Sequence, residues 1–207
     1  MLVMKNQQLQ RGASFASVEA IFLPSSKSLT MGEELVTTLM IDAKSHFLTG
    51  ADMRVKFDSD KLTLESVEVL TKDKFLGGVT WLQSADEVLI SETDNQIGTY
   101  SLVGTNIQKE AANLPSGVIN IVKLHFRTKA VGQAEVSMDK TYGNIVTGYN
   151  VGGLDQELGI EKVSGAVYSI ETVVTRTPTK IVRPSTVPTR TLKPSAKPTY
   201  RTIYQPM

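Results

Sequence analysis

Few residues in this sequence can do covalent chemistry. It has no cysteine, so disulfide frameworks, thiolate metal sites and cysteine nucleophiles are all excluded. Its two histidines, His46 and His125, sit 79 positions apart, and neither lies in an H-x-x-x-H or H-x-H arrangement or beside a flanking carboxylate. Metal ligation therefore has no spaced donor set, and the expected metal and cofactor complement is none. There is no G-x-S-x-G elbow, no P-loop and no G-x-G-x-x-G after a strand. Glu92 and Asp94, in "ISETD", could belong to a Ca²⁺ site, but two acids in a Gly/Asn-containing loop read first as turn residues. The glycines of "YNVGGLDQELG" read as turn glycines. Paired carboxylates for glycoside hydrolysis need a cleft of defined width. The expectation is a chain that is not an enzyme.

What remains is a pattern suited to recognition. In "GADMRVKFDSDKLTLESVEVL", residues 50–70, Ala51, Met53, Val55 and Phe57 alternate with Asp52, Arg54 and Lys56. A strand places such residues on opposite faces. The apolar row has a core to face. The charged row faces either water, with cross-strand ion pairs, or a partner.

The elements that position this row are strands. Short β-type runs bounded by Gly, Asn, Asp, Pro and Ser occur at 18–23, 34–42, 51–57, 61–70, 79–83, 87–92, 99–103, 117–127, 133–138, 144–147 and 163–170. In "MGEELVTTLMID", Leu35, Leu39 and Ile41 share one side. In "VKLHFRT", Val122, Leu124 and Phe126 point inward, and Lys123, His125 and Arg127 outward. The apolar parity of "KLTLESVEVL" slips between Leu64 and Val67, which predicts a bulge near Ser66. One segment, "TNIQKEAANLP", has a helical pattern, with Thr105 as its cap and Pro115 just beyond its end. Many evenly spaced strands with one short helix predict an all-β antiparallel sandwich or jelly roll.

Charge divides the chain. Residues 1–170 hold 15 Lys+Arg against 20 Asp+Glu, and residues 171–207 hold 7 against one. The acidic body would repel phosphate, so no nucleic-acid partner is expected. The basic tail holds six of the eight prolines and repeats as "TPTKIVRPST", "VPTRTLKPSA" and "KPTYRTIYQP". That composition reads as a semi-rigid linker or stalk, with wall-polymer binding and threonine glycosylation as sharper readings. "MLVMKNQQLQRGASFASVEA" lacks a continuous apolar core and does not read as a signal peptide, although "SFAS" has the small residues of a cleavage site. No run approaches the ~18 apolar residues of a membrane helix. The expected organisation is a poorly ordered leader over 1–16, a β-sandwich over 17–171 and a Pro/Thr-rich basic linker over 172–207. A body of about 150 residues buries roughly 70% of its unfolded surface, so it folds without a disulfide or metal.

The body resembles a cohesin module, the receptor domain of bacterial cellulosomes. "SLTMGEELVTTLMID" is similar to the family's Gly-containing turn and second strand, and "GADMRVKFDSDKLTLESVEV" to its third and fourth. There Phe57-Asp58 stands where an aromatic-Asp pair starts the turn. "EVLISETD", "LPSGVINIVKLHFRTKAVGQAEVSM" and "VSGAVYSI" match the later strands in order.

The resemblance implies a flattened nine-stranded jelly roll in an extracellular or cell-surface protein. It also implies a partner: a dockerin-bearing protein, itself carrying the Ca²⁺, bound on one sheet face. Asp52 falls where cohesins place an Asp that contacts the dockerin helix, and Glu92 where they place an acidic contact. Gly50 stands where they have Asn, so one contact is missing. Arg54, Lys56, Trp81 and Gln83 are further partner-binding candidates on the same strands. Trp81, the single tryptophan, is either an exposed aromatic anchor or a core residue. Two alternatives are a carbohydrate-binding module and a purely structural surface domain. A sugar-binding face needs a row of exposed aromatics, and Trp81, Tyr100, Tyr142, Tyr149 and Tyr168 are scattered.

Overall fold

The structure is a computed structural model, described over residues 17–107, 114–149 and 156–172. The chain separates into two units, residues 1–173 and 174–207, and everything below belongs to the first. The expected leader over 1–16 and nearly all of the linker lie outside the described residues.

Twelve strands are present among the described residues: β1 (Ser17–Leu23), β2 (Ser26–Thr30), β3 (Glu34–Asp42), β4 (Phe47–Phe57), β5 (Leu62–Val69), β6 (Val88–Asp94), β7 (Thr99–Thr105), β8 (Val118–Thr128), β9 (Gly132–Met138), β10 (Ile145–Tyr149), β11 (Gln156–Ser164) and β12 (Ala166–Glu171). One layer runs β5–β8–β3–β1, and the other runs β6–β7–β4–β9–β12–β2 with β10 also on β4. β11 links the layers, parallel to β1 and antiparallel to β10. This is the expected all-β sandwich, with more strands than the nine implied. Pro24 lacks an N–H and stops the first ladder, so Ser17–Thr30 supplies one strand to each layer. Gly165 divides the expected run 163–170 between β11 and β12.

The core follows the pleat. Leu35, Leu39 and Ile41 from β3 and Val122, Leu124 and Phe126 from β8 are buried against Met53, Val55 and Phe57 from β4. Across the layers Phe57 meets Phe126 edge to face, ring centres 5.1 Å apart. The buried Thr37 hydroxyl bonds the Tyr168 hydroxyl at 2.8 Å, and Tyr168 donates to the Pro24 carbonyl at 2.8 Å, so each buried oxygen is satisfied. The predicted bulge falls at Glu65: Leu64 pairs with Phe126 and Ser66 with His125. The extra residue restores parity, so Leu62 and Leu64 are buried while Val67 and Val69 pack on the same core.

Two expected elements differ. Residues 79–83 are not a strand; isolated bridges from Thr80 to Asn120 and from Thr71 to Leu82 tack this stretch down. Gly77 and Gly78 precede it, and strand order is poorly held next to paired glycines. Most of the expected helix, 108–113, lies outside the described residues, and its intended cap Thr105 ends β7. Among the described residues the helical element is a short 3₁₀ turn, Ala85–Glu87, and no helix is long and apolar enough to cross a membrane.

Trp81 is fully buried, at 0% exposure. A Cβ built on Gly104 would lie 2.9 Å from its Cη2 and 3.0 Å from the Glu87 carbonyl. Gly104 therefore makes the room that the indole fills. Strand β4 shows a second accommodation. β10 covers its residues 47–52 and β9 its residues 55–57. Between them the β9–β10 loop serves the Arg54 peptide: Arg54 N–H donates to Asn144 Oδ1 at 2.7 Å, and Asp139 N–H donates to the Arg54 carbonyl at 2.8 Å. The loop is tied within itself. Asp139 Oδ1 accepts from the Thr141 amide at 2.9 Å and its hydroxyl at 2.7 Å, and Asn144 Nδ2 donates to the Asp139 carbonyl at 2.7 Å. The Thr141 hydroxyl first, then its amide, hold the Asp139 carboxyl below its ordinary value.

Gly104→Ala is expected to overpack this site and cost about 1–3 kcal/mol, read as a lower urea midpoint in a Trp81 fluorescence melt. Asp139→Ala removes two hydrogen bonds to a carboxylate and is expected to cost about 1–3 kcal/mol near pH 6. A lowered folded pKa gives stability that is fully present above the ordinary Asp value of 3.8 and is lost as pH falls through the folded value. The gap between the wild-type and Asp139→Ala melts should therefore narrow below pH 3.8, and a gap unchanged across that range would refute the assignment.

Candidate docking face

The charged row of β4 lies on the outer face of the second layer. Cross-strand pairing sets its neighbours, because residues directly opposite share a face. Arg54 pairs with Ser101, which pairs with Glu92. Lys56 pairs with Thr99 on one side and Ser137 on the other, and Thr99 pairs with Asp94. Asp52 pairs with Val103 and Ile145, and Val103 with Ile90. Ile90 and Ile145 are 41% and 36% exposed, so a small apolar row crosses the face through Asp52. Gly50 sits between Thr105 and Thr147, and a Cβ there would meet Thr147 Oγ1 at 2.7 Å. A side chain at this position would displace Thr147, so the face stays flat there.

Side chains tie the centre of this face together. Arg54 Nε donates to Ser101 Oγ at 3.0 Å. The Arg54 guanidinium lies 4.1 Å from the centre of the Tyr142 ring, a cation–π contact. The Tyr142 hydroxyl donates to Asp52 Oδ1 at 2.6 Å. That bond to a carboxylate, more than burial, raises the Tyr142 pKa, so the phenol keeps its proton.

The charges at the edge are different. Among the described residues, Lys56 and Glu92 have no ion pair, and both are exposed. They are two strands and two residues apart, about 12 Å between Cα atoms from standard sheet spacings, and do not pair with each other. The outer face of the first layer contrasts with this. There Lys123 pairs with Glu68 at 3.0 Å, Arg127 with Glu65 at 2.9 Å and His125 with Glu34 at 3.0 Å. The ordinary self-paired strand face exists in this domain, but on the other layer.

Of the residues singled out by sequence, Asp52, Arg54, Lys56 and Glu92 come together. Trp81 does not. Its side chain is in the core, because a large apolar ring gains more from the space over Gly104 than from water, and its indole N–H has no hydrogen-bond partner among the described residues. Gln83 is half-buried in the irregular stretch after β5, not on a strand of the face. Its backbone N–H is held by Glu87 Oε2 at 2.6 Å, and it lines a shallow cleft with Lys72, Thr80 and Pro115. The sequence reading missed Tyr142, Ser101, Ile90 and Ile145 as members of the face. Tyr142 lies in a turn-type stretch, "DKTYGN", 90 residues from its partner Asp52. No local period could reveal that contact. Ile90 is set outward by a register shift between Val88 and Ile90 on β6.

The histidines stay apart from this face. His46 is buried in the β3–β4 turn with Nδ1 3.2 Å from the Ala43 carbonyl, and His125 lies on the first layer. No cluster of three His, Asp or Glu side chains able to hold a metal occurs among the described residues. Of the five scattered aromatics, Trp81, Tyr100 and Tyr168 are buried and Tyr142 is engaged with Arg54 and Asp52.

No protein-family model matches the sequence, and no curated protein matches it. Solved structures do match. A chain of a type I cohesin–dockerin complex from Clostridium thermocellum superposes with a TM-score of 0.58 at 10% identity, covering 78% of this chain and 97% of that one. The cohesin CaCohA2 from Clostridium acetobutylicum gives 0.55 at 18% identity, over 75% of this chain and 92% of that one. The seventh ScaB type I cohesin from Pseudobacteroides cellulosolvens gives 0.55 at 13% identity, over 76% and 94%. With its two packed layers and their strand pairing already described, the domain has the fold of the cohesin modules.

Proposed function

We propose that this domain is a non-catalytic docking module that receives a dockerin-bearing partner on the outer face of β6, β7, β4 and β10. The observation that carries the reading is the contrast between the two outer faces. Lys123 pairs with Glu68, Arg127 with Glu65 and His125 with Glu34 on the first layer, while Lys56 and Glu92 on the second make no salt bridge among the described residues. The face also carries two exposed apolar residues, Ile90 on β6 and Ile145 on β10, on either side of its polar centre. Its long dimension follows β6, whose seven residues span about 24 Å, a length that a helix of about 16 residues covers. Solved relatives of the same fold were determined in complexes with dockerins, which supports the choice of partner.

Asp52 and Glu92 contact the partner helix, and Arg54 and Lys56 supply the cationic side of the interface. Gln83 lies off the face and is left out of the contact set, as is Trp81. The Ca²⁺ belongs to the partner, and the working location is extracellular or the cell surface. Sugar binding draws no support from the aromatic residues, because three of the five that could form a stacking row are in the core.

Calorimetric titration of the full chain with a panel of dockerins tests the reading. Tight 1:1 binding with Ca²⁺, lost in EDTA, is the expected result. Asp52→Ala with Glu92→Ala should weaken that binding by at least about tenfold, or ~1.4 kcal/mol, without unfolding the domain. Glu65→Ala with Arg127→Ala, on the other face, should leave affinity unchanged. Equal affinities for the two double variants would reject the assigned face, and no binding across the panel would count against the module's role.

A further inference from the structure

We propose that Tyr142 is the positioning residue of this face: it holds Asp52 and Arg54 apart and oriented, and so keeps both available to a partner. The availability clause rests on the docking reading, and the clamp itself does not. Asp52 and Arg54 are two residues apart on one face of β4, about 7 Å along the strand. Opposite charges at that separation are within reach of each other through a long, flexible arginine. They do not pair. Tyr142 stands with both instead, its hydroxyl on Asp52 Oδ1 at 2.6 Å and its ring face under the Arg54 guanidinium at 4.1 Å. Ser101 fixes Arg54 from the other side through Nε at 3.0 Å.

The placement of Tyr142 comes from the backbone, not from these side-chain contacts. The loop that carries it fills the interval on β4 that β9 and β10 leave uncovered, and it is anchored there by Asn144 and Asp139 on either side of the Arg54 peptide. The ring is thus delivered to Arg54 by bonds that do not involve the tyrosine side chain. One phenol bond leaves Asp52 with further acceptor sites, and one Nε bond leaves Arg54 with four N–H donors. Both groups are oriented yet unsaturated. That is the condition for a partner to bind without first breaking an internal ion pair or ordering a free arginine.

The test uses the full chain with Tyr142→Phe and Tyr142→Leu, each checked for a native, dispersed spectrum. In the free protein the Arg54 Hδ resonances should be shielded by the ring. The shielding should persist in Tyr142→Phe and vanish in Tyr142→Leu, while the Asp52 side-chain carboxyl ¹³C resonance should move in both. This readout needs no partner. In calorimetry with a Ca²⁺-loaded dockerin, Tyr142→Phe should bind about tenfold more weakly and Tyr142→Leu more weakly still, the scale of one lost hydrogen bond to a charged group. Unshielded Arg54 in the wild-type chain overturns the clamp. Normal shielding with unchanged or tighter binding in Tyr142→Phe overturns its role in presenting Asp52. A wild-type chain that binds no dockerin sinks the docking reading, while the resonance shifts still decide whether Tyr142 positions the pair. If Tyr142→Leu fails to fold, the Tyr142→Phe arm and the wild-type shielding decide the matter.

Discussion

Backbone hydrogen bonding along both edges of β4 is the constraint from which the rest of the second layer follows. Each N–H and C=O of a buried strand needs a partner. One edge is served by β7 over residues 50–56. The other is divided between β10 and β9, which leave the peptide of Arg54 to a loop. That loop must therefore stand over the outer face at the charged row. Tyr142, the aromatic residue of the loop, becomes part of the face by the same requirement. A surface feature is thus set by an unfilled position in a ladder.

The same sandwich treats its two outer faces differently. On the first layer, Glu and basic residues alternate between neighbouring strands at registers that allow direct pairing, and the charges are spent there. Such exposed pairs add little stability, but they leave little for a partner to recognise. On the second layer, hydroxyl and apolar residues stand between the charges: Ser101 and Thr99 on β7 separate Arg54 and Lys56 from Glu92 and Asp94. The intervening strand prevents self-neutralisation. Which face keeps unpaired charges is therefore decided by the composition of β7 as much as by the charged row itself.

Much of the architecture was legible before any coordinates. The alternation in β3, β4 and β8 placed Leu35, Phe57 and Phe126 in the core, and the parity slip after Leu64 located a bulge that the register places at Glu65. The short β2 was not legible, because "SKSLT" buries only Leu29 and shows no alternation. The run at 79–83 misled for the opposite reason. Trp81 and Leu82 are buried by close approach to Gly104, not by lying in a sheet, and β-type composition cannot separate the two. Trp81 followed the general tendency of tryptophan to be buried, and a glycine 23 positions later made that burial sterically feasible.

For this protein, sequence alone determined the strand class, the inward rows and the identity of the charged row, because each follows from a period of two within a few residues. It also located four of the residues that share the candidate face, Asp52, Arg54, Lys56 and Glu92. Tertiary structure decided which face keeps its charges unspent, that Trp81 is core and that Tyr142 joins Asp52 to Arg54. Those outcomes depend on cross-strand register and on a contact spanning 90 residues. Register is set by the global packing of both layers, so no local stretch of the chain encodes it.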